Sequence, residues 1–79
     1  MKVYMTRGIN AEILRNEEFA KFVNESLKRY LAHDWGDICK EDKQMNDSGD
    51  DRIVARYNNI YIITEWDRSY TTILFVDEY

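Results

Sequence analysis

Proline is absent from this sequence of 79 residues, and cysteine and histidine occur once each, as Cys39 and His33. A single cysteine excludes an internal disulfide and a thiolate-rich metal site, and a single histidine removes the usual zinc ligands and proton shuttles. No apolar run approaches the roughly 20 residues that a bilayer span needs, and no secretory signal pattern is present. These absences predict a cytoplasmic protein without a cofactor.

The abundant residue types suit one small core. Hydrophobic residues make up 44% of the chain and aromatic residues 14%. This content is enough for a single domain over residues 1–79 that stands without covalent cross-links. The sequence contains no internal repeat, linker or low-complexity segment. We therefore expect one pair of packed layers.

Hydrophobic periodicity predicts a strand and a long helix in the first half of the chain. Residues 2–6 alternate and favour a short strand closed by Gly8. Asn16 can cap a helix whose first turn contains Glu17, and apolar residues then recur at steps of three and four until about His33. This predicted core-facing stripe consists of Phe19, Phe22, Val23, Leu27, Tyr30 and Leu31.

The second half predicts a shorter helix and a meander of strands. Asp37 is expected to cap that helix, which would end near Asn46 and place Glu41 on the same face as Asp37. Turn signals at 58–59 and 66–69 separate three strands. Their predicted register pairs Tyr57 with Ile60, Ala55 with Ile62, Ile53 with Thr64, Thr64 with Thr71, Ile62 with Ile73 and Ile60 with Phe75. The predicted fold is α+β, with one long and one short helix packed on a three- to four-stranded antiparallel sheet.

Negative charge is concentrated in one segment. Residues 34–51 contain seven acidic residues and two lysines, a net charge of −5, whereas the rest of the chain holds nine bases and eight acids. A negative patch repels nucleic acid and attracts basic protein grooves, so a protein partner is expected and direct binding of DNA or RNA is not. The alternative is a solvated surface that keeps a small protein soluble. The acidic residues are Asp34, Asp37, Glu41, Asp42, Asp47, Asp50 and Asp51.

Candidate catalytic and metal-binding groups have simpler structural interpretations. An EF-hand register with Gly49 at the sixth loop position places Ala55 where a glutamate ligand is required. Glu65 and Asp67 have no nucleophile beside them in the sequence, and Arg52 is the expected cross-strand neighbour of Glu65. The single cysteine is interpreted as a small core residue and the single histidine as a helix C-terminal residue. No metal site and no enzymatic activity are predicted.

Two surfaces are candidates for binding a partner. Trp35, inside the acidic segment, is either a lid over the edge of the core or the anchor of an interface, because tryptophan is frequent at the centres of protein contacts. The sheet face opposite the helices is the second candidate, since its residues are too apolar for a wet surface and too polar for a core. That face is predicted to carry Val54, Arg56, Tyr61, Ile63, Tyr70, Thr72 and Leu74.

Two blocks of the sequence resemble a known family. The run "LKRYLAHDWGDICKEDKQMND" and the run "RIVARYNNIYIITEWDRSYTTILFVDEY" are similar to small proteins carried by bacterial phages, plasmids and conjugative elements. Members share an R-Y, D-W-G-D, E-D and N-D core and a closing I-I-T-E-x-D-R-S-x-T-T-I-L-F-x-x-E-Y. The shared positions in this chain are Arg29, Tyr30, Asp34, Trp35, Gly36, Asp37, Glu41, Asp42, Asn46, Asp47, Thr64, Glu65, Asp67, Arg68, Ser69, Thr71, Thr72, Glu78 and Tyr79.

The resemblance implies a mobile-element protein in a bacterial host cell, without supplying a reaction. Some relatives carry a label as a type I restriction subunit, but no methyltransferase cofactor loop or catalytic motif occurs in this sequence. Small acidic proteins of mobile elements are frequently inhibitors of host defence, which is an association and not a deduction from residues. The resulting hypothesis is an anti-CRISPR-like, DNA-mimicking inhibitor whose acidic residues and Trp35 meet a basic groove. The alternative is a homodimeric structural or regulatory protein that associates through its sheet face.

Overall fold

The computed structural model describes residues 2–49 and 51–79. The elements, in chain order, are β1 (Lys2–Met5), α1 (Arg7–Arg15), α2 (Glu17–Leu31), α3 (Lys40–Ser48), β2 (Ile53–Tyr57), β3 (Ile60–Thr64), β4 (Tyr70–Phe75) and a 3-10 turn (Val76–Glu78). The strands form one sheet in the order β1-β4-β3-β2, with β1 parallel to β4 and the other pairs antiparallel. The predicted α+β class is confirmed, and the sheet is mixed where a wholly antiparallel one was expected.

The three C-terminal strands pair in the predicted register. Tyr57 lies opposite Ile60 across the first hairpin, Thr64 lies opposite Thr71 across the second, and the other predicted pairs are also formed. Asn58 in the first turn has a φ of 55°. Asparagine tolerates this left-handed conformation, which a two-residue hairpin turn requires. The turn and the apolar alternation therefore specify the same register.

The N-terminal part contains a helix that the sequence pattern did not predict. Helix α1 begins after Thr6, whose Oγ1 accepts a hydrogen bond from the Ile9 amide at 3.3 Å. Gly8, expected to close a strand, lies inside the first turn of this helix. A Cβ atom at Gly8 would lie 2.8 Å from Glu78 Oε2, the end of a flexible side chain, so Gly8 lies where the C-terminal turn approaches α1 closely.

The second predicted helix begins later than expected. Helix α3 starts at Lys40 with Cys39 at its N-cap position, and Gly49 ends it with a φ of 74°. Asp37 therefore lies outside the helix and does not share a helical face with Glu41. The physical reason is an interaction between segments distant in sequence: the Asp37 amide donates to the carbonyl of Arg56 at 2.7 Å, which holds Asp37 against strand β2.

The core lies between the sheet and the helices. Buried residues from both layers form one cluster, and Phe19, Phe22 and Leu27 of the predicted stripe pack against it, whereas Leu31 is exposed. A chain of hydroxyl groups runs through this core from Tyr30 to Thr64 and on to Thr71. The fully buried cluster consists of Ile9, Val23, Tyr30, Trp35, Ala55, Tyr57, Ile60, Ile62 and Ile73.

Candidate partner-binding surface

Trp35 belongs to the core and not to the surface. Its side chain is 4% exposed, the His33 ring stacks on it at a centroid distance of 5.1 Å, and the Tyr30 ring contacts it edge-on at 5.4 Å. The indole Nε1 donates to Asp47 Oδ1 at 2.9 Å. The lid interpretation describes this position, and so buried an indole has little surface to offer a partner.

The charge of Asp34 is compensated within the corner that follows α2. Arg29 donates to both carboxylate oxygens, with Nε at 2.8 Å and Nη2 at 3.2 Å, and its guanidinium lies over the Tyr57 ring. The bonds from Arg29, and next the amide of Gly36, lower the pKa of Asp34. The Tyr57 hydroxyl donates to the Asp34 carbonyl at 2.6 Å. Burial raises the pKa of Tyr57. Asp34 is thus bound to Arg29 at the C-terminal end of α2. It is therefore a weak candidate for binding the cations of a partner.

Residues 35–37 cover part of the outer edge of β2. The carbonyl of Trp35 accepts from the Arg56 amide at 3.3 Å, and Gly36 forms a parallel bridge to Arg56. Gly36 has a φ of 75°, and a Cβ there would lie 2.0 Å from the Arg56 carbonyl oxygen. Asp37 Oδ2 then accepts from the Asn58 amide at 3.0 Å. The D-W-G-D sequence is therefore explained by closure of a sheet edge.

Asn46 closes the next part of the same edge. Its side-chain amide donates to the Val54 carbonyl at 2.8 Å, and its carbonyl oxygen accepts from the Val54 amide at 3.2 Å. A side-chain amide can satisfy both backbone groups of one residue in this way, as a neighbouring strand would. Asn46 is 7% exposed, so the two bonds lie where water cannot easily replace them.

The remaining acidic residues carry charge that no cation of the described residues neutralises by an ion pair. Asp37 and Asp47 accept hydrogen bonds from uncharged donors, while Glu41 and Asp42 lie exposed in the first turn of α3. The Asp51 carboxylate accepts from the amide of the next residue in the chain. Asp50 falls outside the described residues. We define the acidic patch as the four carboxylates that face solvent beside α3: Asp37, Glu41, Asp42 and Asp51.

On α1 and α2, in contrast to α3, acidic residues form ion pairs. The ion pairs of residues 2–49 and 51–79 are three pairs spaced by three residues on α1 and α2, together with the pair of Arg29 and Asp34. The three spaced pairs join Glu12 to Arg15, Glu18 to Lys21 and Glu25 to Lys28. Acid is thus balanced locally on the first two helices and left unbalanced around α3.

The acidic patch borders a cavity beside the open face of the sheet. This cavity, of about 360 Å³, is lined by Asp37 and Asp42 of the patch together with Arg52, Arg56 and Tyr61, among others. The guanidinium of Arg52 bonds the hydroxyl of Tyr79, although Glu65 was its expected neighbour. Arg56 Nε donates to the Asn58 carbonyl at 2.9 Å. Both arginines are therefore held by the fold and form no ion pair with the patch.

The open sheet face retains exposed aromatic surface. The rings of Tyr4 and Tyr70 contact edge-on at 5.7 Å, and these residues are 51% and 38% exposed. Tyr61 is half-buried and contacts the ring of Tyr79, while Ile63 and Leu74 are buried. Tyr70 and Tyr61 of the predicted second contact face thus keep exposed surface, whereas Ile63 and Leu74 do not, and Tyr4 of β1 is a neighbour of Tyr70 that sequence reasoning missed.

The turn between β3 and β4 contains an exposed tryptophan that was predicted only as part of a turn. Trp66 is 71% exposed. Arg68, beside it, has a φ of 63° and donates four hydrogen bonds to backbone carbonyls. Asp67 Oδ1 accepts from the Ser69 side chain and amide, which lowers the pKa of Asp67. The sequence already indicated this exposure, because the other residues of the turn are polar and cannot bury an indole.

No group of three or more histidine, cysteine, aspartate or glutamate side chains is arranged to hold a metal ion within residues 2–49 and 51–79. Cys39, expected in the core, is exposed, because α3 begins at that point and turns the side chain outward. Across the described chain, no helix combines the length and apolar character needed to cross a bilayer. Comparison with protein-family models, curated proteins and solved structures found no match.

Proposed function

We propose that this protein is an anti-defence inhibitor that binds a CRISPR–Cas effector or a related DNA-processing nuclease and occupies a basic groove used for nucleic acid. The observation that carries the proposal is the acidic patch, whose carboxylates face solvent without an ion pair to any described cation. Charged groups arranged in this way direct association with a basic surface and suppress other partners. The resemblance to proteins of mobile elements supplies the biological setting.

The structure narrows the residues that such a groove would meet. The side chains of Glu41, Asp42 and Asp51 are exposed, and no hydrogen bond within the described residues joins any of these carboxylates to a distant part of the chain. Arg and Lys side chains that hold phosphates also accept carboxylates, through charge-assisted hydrogen bonds. Asp34 and Trp35 are engaged within the corner. The proposed contact set is therefore Glu41, Asp42 and Asp51, with Asp37 and Asp47 adding negative charge while keeping their internal bonds.

The decisive experiment combines charge reversal with a matched control. The triple variant Glu41→Lys, Asp42→Lys and Asp51→Lys reverses two first-turn acids of α3 and one acid beyond it. The control, Glu17→Lys, Glu18→Lys and Glu25→Lys, reverses two first-turn acids of α2 and one later acid. Both variants lose similar helix-dipole stabilisation, about 0.3–1 kcal/mol for each first-turn acid. The control also breaks the exposed pairs of Glu18 with Lys21 and of Glu25 with Lys28, so a loss of inhibition confined to the α3 variant reports the position of the charge.

The measurement is phage plaque formation in bacteria that carry a panel of CRISPR–Cas and restriction systems, followed by target-DNA cleavage with each purified effector. Wild type and the α2 control are expected to restore plaques and block cleavage, and the α3 reversal is expected to do neither while keeping a native circular dichroism spectrum. Inhibition by the α3 reversal equal to that of wild type, or no inhibition of any system by wild type, would overturn the proposal.

A second candidate function is favoured by the open sheet face. A homodimeric structural or regulatory protein would bury Tyr4 and Tyr70, which are exposed beside the buried Leu74. Aromatic residues of this kind are enriched at the cores of protein interfaces. Sedimentation equilibrium distinguishes this candidate, because it requires a dimer that Tyr70→Lys converts to a monomer. A wild-type monomer at all accessible concentrations contradicts it.

A further inference from the structure

Within residues 2–49 and 51–79, no hydrogen bond or ring contact holds the indole of Trp66 in the way that Tyr30, His33 and Asp47 hold that of Trp35. Trp66 is 71% exposed, and tryptophan is on average a highly buried residue. Its backbone carbonyl accepts a hydrogen bond from Arg68 Nη1 at 3.1 Å, so the main chain is fixed while the side chain remains in solvent. The fold keeps a large apolar surface outside the core at this turn.

Arg68 holds the turn against the segment that leaves α3. Its Nη1 atom donates to the carbonyls of Asp51 at 3.0 Å and of Glu65 at 3.1 Å, and its Nη2 atom donates to the Gly49 carbonyl at 2.9 Å. Asp51 and Trp66 thus bind the same nitrogen atom of one guanidinium. The backbones of Trp66 and of Asp51, a member of the acidic patch, are therefore neighbours in space, although 15 positions separate the two residues along the sequence.

The hydrogen bonds of Arg68 also determine which charged groups near the indole remain unpaired. The guanidinium of Arg68 is directed at backbone carbonyls of two loops, while the carboxylates of Asp51 and Asp67 accept only from nearby backbone and hydroxyl groups. None of these carboxylates forms an ion pair with a cation of the described residues. Trp66 is therefore an exposed apolar residue whose neighbours in this turn include two acids without an ion pair to any described cation, Asp51 and Asp67, which we call the acidic rim.

We infer that Trp66 is the anchor of the partner interface and that the partner offers an apolar slot for an indole flanked by lysine or arginine side chains. This inference rests on the proposed function, because Asp51 belongs to both the acidic rim and the acidic patch. Tryptophan at the centre of an interface buries 150–250 Å² and is over-represented among the residues that dominate binding. A turn already fixed by Arg68 loses little conformational entropy when it binds.

A synthetic peptide in which lysine and leucine alternate serves as the probe. Fluorescein on the peptide reports binding by anisotropy, and tryptophan emission reports the environment of Trp66, since acrylamide quenches an exposed indole far more than the buried Trp35. Wild type is expected to bind the peptide in a salt-sensitive manner, with a blue shift and protection of Trp66 from acrylamide. A second peptide with serine in place of leucine keeps the charge and is expected to leave Trp66 quenchable.

The variant Trp66→Ser is expected to weaken binding of the lysine-leucine peptide by roughly tenfold or more, the loss typical of a central interface residue. The matched control is Leu14→Ser, which removes another apolar side chain, 80% exposed on α1, and is expected to bind as wild type does. Circular dichroism melting of all three proteins checks that the fold is retained.

The outcomes separate the two proposals. Equal binding by Trp66→Ser and wild type, with Trp66 still quenchable in the complex, overturns the anchor while leaving the acidic patch intact. Binding lost in Trp66→Ser but kept in the Glu41, Asp42 and Asp51 reversal supports the anchor and overturns the acidic-groove function. No binding of either peptide by wild type at low salt overturns both.

Discussion

The two tryptophans of this protein lie in similarly acidic surroundings and differ in almost every physical respect. Trp35 is 4% exposed and Trp66 is 71% exposed. Around Trp35, Asp34 and Asp47 are bound to groups of the corner itself, whereas the arginine beside Trp66 binds only backbone carbonyls. Acid beside an indole therefore indicates neither a core nor an interface by itself; the Trp35 indole donates to Asp47, whereas the acids beside Trp66 accept from backbone and hydroxyl groups.

The comparison also separates two kinds of motif residue. Trp35, Gly36 and Asn46 close the outer edge of β2 through backbone hydrogen bonds. An unpaired strand edge is a template for unwanted association, and proteins cover such edges in several ways. Glu41 and Asp42 lie in the same stretch of sequence but make no such bond. A short acidic segment can thus combine residues that the fold requires with residues that only a partner would require.

The largest expected effect is on Trp35. Trp35→Ala should lower the free energy of unfolding by about 3–5 kcal/mol, because it leaves a cavity beside Tyr30 and removes the donor to Asp47. Urea denaturation followed by circular dichroism measures the loss. Because this loss is a large share of the stability of a small domain, Trp35→Phe provides a milder test, with an expected loss of about 1–2 kcal/mol. A midpoint unchanged in both variants would contradict the assignment of Trp35 to the core.

An intermediate effect is expected for the edge of β2. Asn46→Ala leaves the amide and carbonyl of Val54 without their partners and should cost about 1–3 kcal/mol. Thermal denaturation measures the change, and Asn46→Asp is the informative comparison because it can accept from the Val54 amide but cannot donate to the carbonyl. If Asn46→Ala melts with wild type, water satisfies this edge and the N-D motif needs another explanation.

The smallest effect on stability is expected for Trp66. Trp66→Ser removes a side chain that is mostly in solvent and should change the free energy of unfolding by less than about 0.5 kcal/mol. The same denaturation measurement therefore gives opposite results for the two tryptophans. A loss above about 2 kcal/mol at Trp66 would show that the turn depends on the indole, and the comparison between a structural and an available tryptophan would fail.

Sequence reasoning located the hairpins more reliably than the helices. The register of β2, β3 and β4 follows from alternation and from the turn at Asn58, which are local features. Helix α1 was missed because Gly8 resembles a strand stop, and its role depends on contact with Glu78 at the far end of the chain. The start of α3 was placed too early because Asp37, a good capping residue, binds the Asn58 amide instead.

Sequence reasoning predicted only part of the candidate site. The excess of acid in residues 34–51 is visible from composition, and it locates the acidic patch. Composition does not show which carboxylates remain unpaired or which tryptophan is exposed. Hydrogen bonds between segments distant in sequence decide both. Trp35 was chosen as a possible anchor for its acidic neighbours, and those neighbours include Asp47, which its indole binds.

The sequence alone determined the α+β class, the hairpin register and the location of the excess charge, because each depends on local periodicity, turn chemistry or counting. Tertiary structure decided that β1 joins the sheet parallel to β4, that residues 35–37 cover the edge of β2, and that Arg68 brings Trp66 beside Asp51. Each of these contacts joins residues far apart in the chain, and their geometry exists only once the layers have packed.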